Sequence, residues 1–189
     1  MIPQFQYDYI NQDLPGDDIL AVIGNLPKRW GRMDRISRLA VVEVGRILLA
    51  YGLRARGGEP SACRGRGGLV GLTRCGSLTT DLAYADTLKQ GFEVASPTLF
   101  SYTLANIALA EAASHYGLTG PVYSVFTDDP GSGDEAEAKR WLDCDDSLDF
   151  MIVGELDVYP DPLVSSLGEG EQAQKPDNEI ISVNFRIVS

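Results

Sequence analysis

The sequence has one histidine, His115. A single imidazole leaves almost no material for histidine-based metal sites or for triads that depend on a His base. Cysteine is also scarce: Cys63, Cys75 and Cys144 are odd in number and show no CxxC spacing. That argues against zinc and for reduced thiols, hence a cytoplasmic location. No run of about 18 apolar residues is present, which excludes a spanning helix. The first residues, MIPQFQYDYI, have neither a basic start nor an apolar core, so they do not read as a secretory signal. The run GRGGLVG, from Gly65 to Gly71, lacks the Lys-Ser/Thr of a phosphate loop, and its glycines precede a strand instead of following one. No cofactor or metal motif is found.

What remains is an ordinary globular composition of 189 residues, 44% apolar and 23% charged. That is enough for one domain, residues 1–189, with a real core. The net charge of −11 is unevenly placed. Residues 1–126 hold 12 Lys/Arg and 11 Asp/Glu, whereas residues 127–189 hold 4 and 16. An acidic final third disfavours nucleic acid as a partner.

The most informative stretch runs from Ser96 to Phe126. Ser96-Pro97 is a helix start, with Ser as cap and Pro at the first helical position. Helical spacing of Leu104, Ile107, Ala108 and Ala112 predicts one helix from Pro97 to Tyr116, stopped by Gly117. Its apolar side chains, Leu99, Phe100, Leu104, Ile107, Ala108 and Leu109, need cover. Gly120-Pro121 is a turn and Val122 to Phe126 a short strand. Earlier, residues 32–52 carry an apolar stripe at helical spacing (Ile36, Leu39, Ala40, Ile47, Leu48, Tyr51), with Asp34 at the start and Gly52 at the stop. Strands are expected at 68–73, 150–158 and 180–188, with a further one near 5–10 or 19–23. Helices are expected after Ser77 or Thr79 and from Asp134 to Leu142. The segment with Pro160, Pro162, Gly168, Gly170 and Pro176 reads as a polar loop. Cys75-Gly76-Ser77 is a turn whose thiol has no base nearby in sequence and reads as a core thiol. His115 reads as a packing or capping residue.

Pro97, Thr103, Leu104 and Asn106, followed by Gly117, Leu118, Gly120 and Pro121, resemble the N-terminal half of β-ketoacyl synthases, which have the thiolase-like fold. The run RMDRISRLAVVEVGRILLAYGL is similar to that family's Arg-x-Asp-Arg segment and first long helix. The resemblance covers about 32–156. It implies an α/β fold, half of a thiolase-like fold, with a mixed sheet flanked by helices. It also implies a nucleophilic Cys after the strand 122–126. Counting without gaps from Gly120-Pro121, that position is Asp129, which cannot form a thioester. Asp128 and Asp129 read instead as helix caps. The family's C-terminal half, with its catalytic His residues, has no counterpart here.

The expected function is therefore a non-catalytic ketosynthase-like partner in fatty-acid or polyketide-type acyl synthesis. The alternatives are an enzyme of acyl or thioester chemistry using other residues, such as Cys75 or Asp129, and a structural homodimer without ligand. By resemblance, the family dimerises through the strand that is Val122, Tyr123, Val125 and Phe126 here. The expected partner is a second copy or a full ketosynthase on that edge, unless the strand 180–188 folds back to cap it. Arg32, Arg35 and Arg38 form a candidate docking patch for an acidic partner such as an acyl carrier protein. The bland alternative is local pairing with carboxylates.

Overall fold

Asp34 starts the helix around which the rest packs. Its carboxylate Oδ1 accepts a hydrogen bond from the Ser37 amide at 3.0 Å, capping α2 (Arg35–Ala50). Gly52, at φ +67, follows its end. Leu39, Ala40, Val41, Val42, Val44 and Leu48 of α2 are fully buried. The computed structural model describes residues 4–60, 63–89, 91–130, 134–160 and 179–189.

The remaining elements are α1 (Asp17–Ile23), β1 (Gly67–Thr73), α3 (Leu78–Leu88), α4 (Pro97–Phe100), α5 (Ile107–Tyr116), β2 (Val122–Phe126), α6 (Asp134–Cys144), β3 (Phe150–Pro160) and β4 (Glu179–Val188). Among the described residues, four strands form one mixed sheet in the order β2-β1-β3-β4. β1 is parallel to both neighbours, with Leu69 opposite Val122 on one side and Ile152 on the other. β4 is antiparallel to β3, Met151 opposite Val188 and Pro160 opposite Glu179.

The sheet is covered on both faces. Leu69, Phe150, Ile152, Leu156 and Val158 pack toward α2 and α5 in the larger core. Val70, Leu72, Met151 and Val153 pack toward Ala138 of α6 in the smaller one. A parallel pair buried on both sides explains why Gly67–Leu72 and Phe150–Val153 are continuous apolar or glycine runs. α2 and α5 approach closely through Gly45. A Cβ there would lie 2.2 Å from the Tyr116 hydroxyl, which donates to the Val41 carbonyl at 2.7 Å.

Several expectations are corrected. The helix expected from Pro97 to Tyr116 is two helices. Between them, the Ser101 hydroxyl donates to Thr98 O and the Thr103 hydroxyl to Phe100 O, so side chains compete for the carbonyls that would continue the helix. Neither 5–10 nor 19–23 is a strand: Gln4–Asn11 is a 3-10 helix and Asp17–Ile23 is α1. At 19–23 the Pro15-Gly16 turn followed by Asp17 and Asp18 is a helix start, and at 5–10 Tyr9 and Ile10 are buried against α2 rather than in a sheet. β4 lies against β3 and does not return to cap β2. The polar loop expected between Pro160 and Glu179 lies outside the described residues, apart from Pro160 itself.

Asp34 also gives a pH-dependent expectation. Its carboxyl is raised above its ordinary value, chiefly by burial. The stability it contributes is full below the unfolded value of 3.8 and is lost as pH rises through the folded value. Asp34→Asn keeps the cap and removes the titration, so its stability relative to wild type should improve as pH rises from about 4 to 7. Asp34→Ala should lose about 1 kcal/mol through the missing cap. Urea denaturation at several pH values measures both.

Candidate partner-binding face

β2 hydrogen-bonds only to β1, and its other edge carries no strand among the described residues. Its side chains alternate. Val122 packs on the larger core, and the Ser124 hydroxyl donates to Ala105 O at 2.9 Å. Phe126 lies over Gly76 with 64% of its surface exposed. On the other face, Tyr123 accepts from Trp141 Nε1 at 2.6 Å and donates to the Glu137 carboxylate.

The edge continues into an exposed apolar surface. Phe126 and Ala105 both approach Gly76, so the ring of Phe126 adjoins the segment carrying Leu104. Leu104 is 62% exposed and Phe100 61% exposed, the latter in ring contact with Tyr84 of α3. Leu82, Phe92 and Val94 are exposed as well. Large exposed apolar side chains, with Phe126 at an open strand edge, mark a candidate interaction surface. The cover expected for Phe100 and Leu104 is therefore not supplied by the chain's own described residues.

At the carboxyl ends of β1 and β3 sits a feature the sequence did not reveal. Asp157 is fully buried and accepts from the Thr73 hydroxyl, the Arg74 amide at 2.9 Å and the Cys75 amide at 3.2 Å. Thr73 Oγ1 in turn accepts from the Gly76 amide at 2.6 Å. Gly76, at φ +57, turns the chain from β1 into α3 where a Cβ would strain the backbone. The Arg74 guanidinium donates to Asp128 O at 3.2 Å, tying this elbow to the loop after β2.

Of the candidate catalytic positions, Cys75 lies in this elbow and Asp129 in the loop after β2. Cys75 is partly exposed, and its thiol is pushed up first by burial and then by the Asp157 carboxylate. A thiol so placed is a poor nucleophile near neutral pH. His115 is remote from it: its Nε2 pairs with Ile23 O at 3.0 Å, and burial lowers its pKa. Asp129 is exposed in the loop after β2, its amide donating to Thr127 Oγ1. At the start of α6 the Asp134 carboxylate accepts from the Glu135 amide at 2.8 Å. Among the described residues, no group of three His, Cys, Asp or Glu is placed to hold a metal ion, and no helix is long and apolar enough to cross a membrane.

The three arginines do not form one exposed patch. Arg38 is 7% exposed; it donates to Trp30 O, Ile10 O and Gln12 O and sits over the Trp30 ring. Arg35 is ion-paired with Glu179 at 2.5 Å. Arg32 remains exposed, with no carboxylate partner among the described residues. Arg38 reads as apolar-face packing once Trp30 and Ile10 fold onto α2, which its spacing alone could not indicate.

No family model matches the chain, and no curated protein matches it. Among solved structures, 34 chains match. One is the ishigamide ketosynthase/chain length factor, at 21% identity and a TM-score of 0.62, covering 93% of this chain and 49% of that one. The chain thus has a ketosynthase-like, thiolase-like fold and spans about half the length of that structure.

Asp157→Ala should destabilise the fold by about 3 kcal/mol, because two backbone amides and a hydroxyl would lose a buried acceptor. Asp157→Asn, which keeps one acceptor oxygen, should cost less. Urea unfolding at pH 7 compares the two.

Proposed function

We propose that this chain is a non-catalytic, ketosynthase-like subunit in polyketide- or fatty-acid-type acyl synthesis, and that a full ketosynthase covers its β2 edge. The observation that carries this reading is the apolar face made by Phe126, Leu104 and Phe100 beside an unpaired strand. Exposed apolar side chains beside an open strand edge are the mark of a surface that another protein covers. The ketosynthase/chain length factor likeness, which by itself gives only the fold, supports the choice of partner. The lack of catalysis rests on Asp129 standing where the resemblance places the thiol. It rests also on Cys75, held in surroundings that oppose its thiolate. Three free cysteines suit work in the cytoplasm. An acyl carrier protein, if it docks on the basic side, has Arg32 to meet and not Arg38, which is consumed inside the fold.

The chain alone, given acyl and malonyl carrier-protein substrates, should give no condensation product and no bound acyl thioester. Turnover that disappears in Cys75→Ala would overturn the non-catalytic reading. Mixed with candidate ketosynthases of the same genome, the chain should co-elute with one of them. Phe100→Glu together with Phe126→Glu should weaken that complex at least tenfold, since both place a charge in a desolvated apolar contact. A complex indifferent to both changes would remove β2 as the docking edge.

A further inference from the structure

The sheet has a second open edge. β4 pairs with β3 without a bulge over its whole 10-residue length, and its outer side carries no strand among the described residues. Natural edges are guarded by proline, bulges or free charge. β4 has no proline and no bulge, and neither of its charges is free. Its two charges both point inward, Glu179 to Arg35 of α2 and Arg186 to Asp134 of α6.

Those two ion pairs also fix which face each residue takes. Glu179, Ile181, Val183, Phe185 and Ile187 share the α2 face, and the four apolar ones pack only partly against the larger core. Beside Val183 and Phe185 lies a groove of about 250 Å³, floored by Ile47 and Ala50 of α2 and rimmed by the Glu43–Arg46 ion pair. The groove therefore has no net charge and an apolar floor.

We infer that the outer edge of β4 pairs antiparallel with β4 of a second copy of this chain, about a two-fold axis at Val183. The sequence is self-complementary in that register. Val183 meets Val183 of the copy, Ile181 meets Phe185, and on the other face Ser182 meets Asn184. Arg186 falls opposite Ile180 and Glu179 opposite Ile187, so no like charges face one another. A shift by one residue would bring the core-facing row against the opposite row and is excluded by the pleat. The two grooves then close on each other across the axis, covering Val183 and Phe185. An isologous contact of this kind closes as a dimer. The assembly rests on the preceding reading in one respect: β2 must take a different chain, because two self-pairing edges on one chain would build an open array.

Disulfide trapping tests the contact directly. In a Cys144→Ser background, Val183→Cys puts two thiols directly opposite each other, within about 5.5 Å at Cβ, where a disulfide can form. Mild diamide oxidation should convert most of the Val183→Cys chain to a species of twice the chain mass. Ile187→Cys, which lies far from its own copy in this register, should remain single, as should the background chain. Sedimentation adds an independent measure: the unmodified chain should be a dimer at about 10 µM, Phe126→Glu should remain one, and Val183→Arg should be a folded monomer by circular dichroism. If Val183→Arg fails to fold, the cysteine result still decides. A monomeric unmodified chain, or equal cross-linking at 183 and 187, overturns the proposal. A dimer dissolved by Phe126→Glu but not by Val183→Arg also overturns it and makes β2 the self-pairing edge.

Discussion

One buried carboxylate holds the working end of this fold together. Asp157 has no contact with water and no cation beside it among its hydrogen-bond partners; it is stabilised by the Thr73 hydroxyl and two consecutive amides of the β1–α3 elbow. A carboxylate in such a place is tolerated because each donor is aimed at it by a rigid strand end. The elbow in turn sets Gly76, over which Phe126 rests, and Ser77, whose hydroxyl donates to Thr103 O and anchors the segment leading to α5. The β2 edge, the apolar face beside it and the position of Cys75 all follow from where that elbow is held.

A second constraint sits on the opposite side of the molecule. The Arg38 guanidinium collects three carbonyls from the N-terminal segment and stacks on Trp30, while Tyr116 reaches Val41 past Gly45. These contacts lock the described part of the N-terminal segment, from Gln4 to Trp30, onto α2 as helical turns. They also explain why no strand forms there: Tyr9 and Ile10 are buried against a helix and not laid along a sheet.

Strands whose sequence is locally decisive were legible. Val122–Phe126 and the alternating Glu179–Val188 appear where the pattern places them, and α2 begins at its Asp34 cap. The break after Phe100 was not legible, because Ser101, Tyr102 and Thr103 are acceptable in a helix. Besides the local Ser101 and Thr103 hydroxyl bonds, the Tyr102 hydroxyl bonded to Glu111 and the Ser77 hydroxyl bonded to Thr103 O hold the interruption in place. The same holds for the face at β2: the strand could be read, but Phe126 meets Gly76, and Phe100 meets Tyr84 of α3, only through the tertiary fold. Arg38 misleads for the opposite reason, since a cation at the start of a helix looks solvated until Trp30 and Gln12 close over it.

The strand order has a consequence for how the chain reaches this state. Of the four described strands β1 comes first in sequence, yet it lies inside the sheet, and both its partners, around Val122 and Ile152, arrive much later. Long-range parallel pairing of this sort is slow. During that delay an apolar strand emerging from the ribosome is open to mispairing with other nascent chains. Gly67, Gly68 and Gly71 are required in the finished sheet because Phe150, Met151 and Leu109 occupy the space their side chains would take. The same glycines give β1 little tendency to hold an extended conformation by itself. A residue choice set by native packing thus also keeps the waiting strand from aggregating before its neighbours are made.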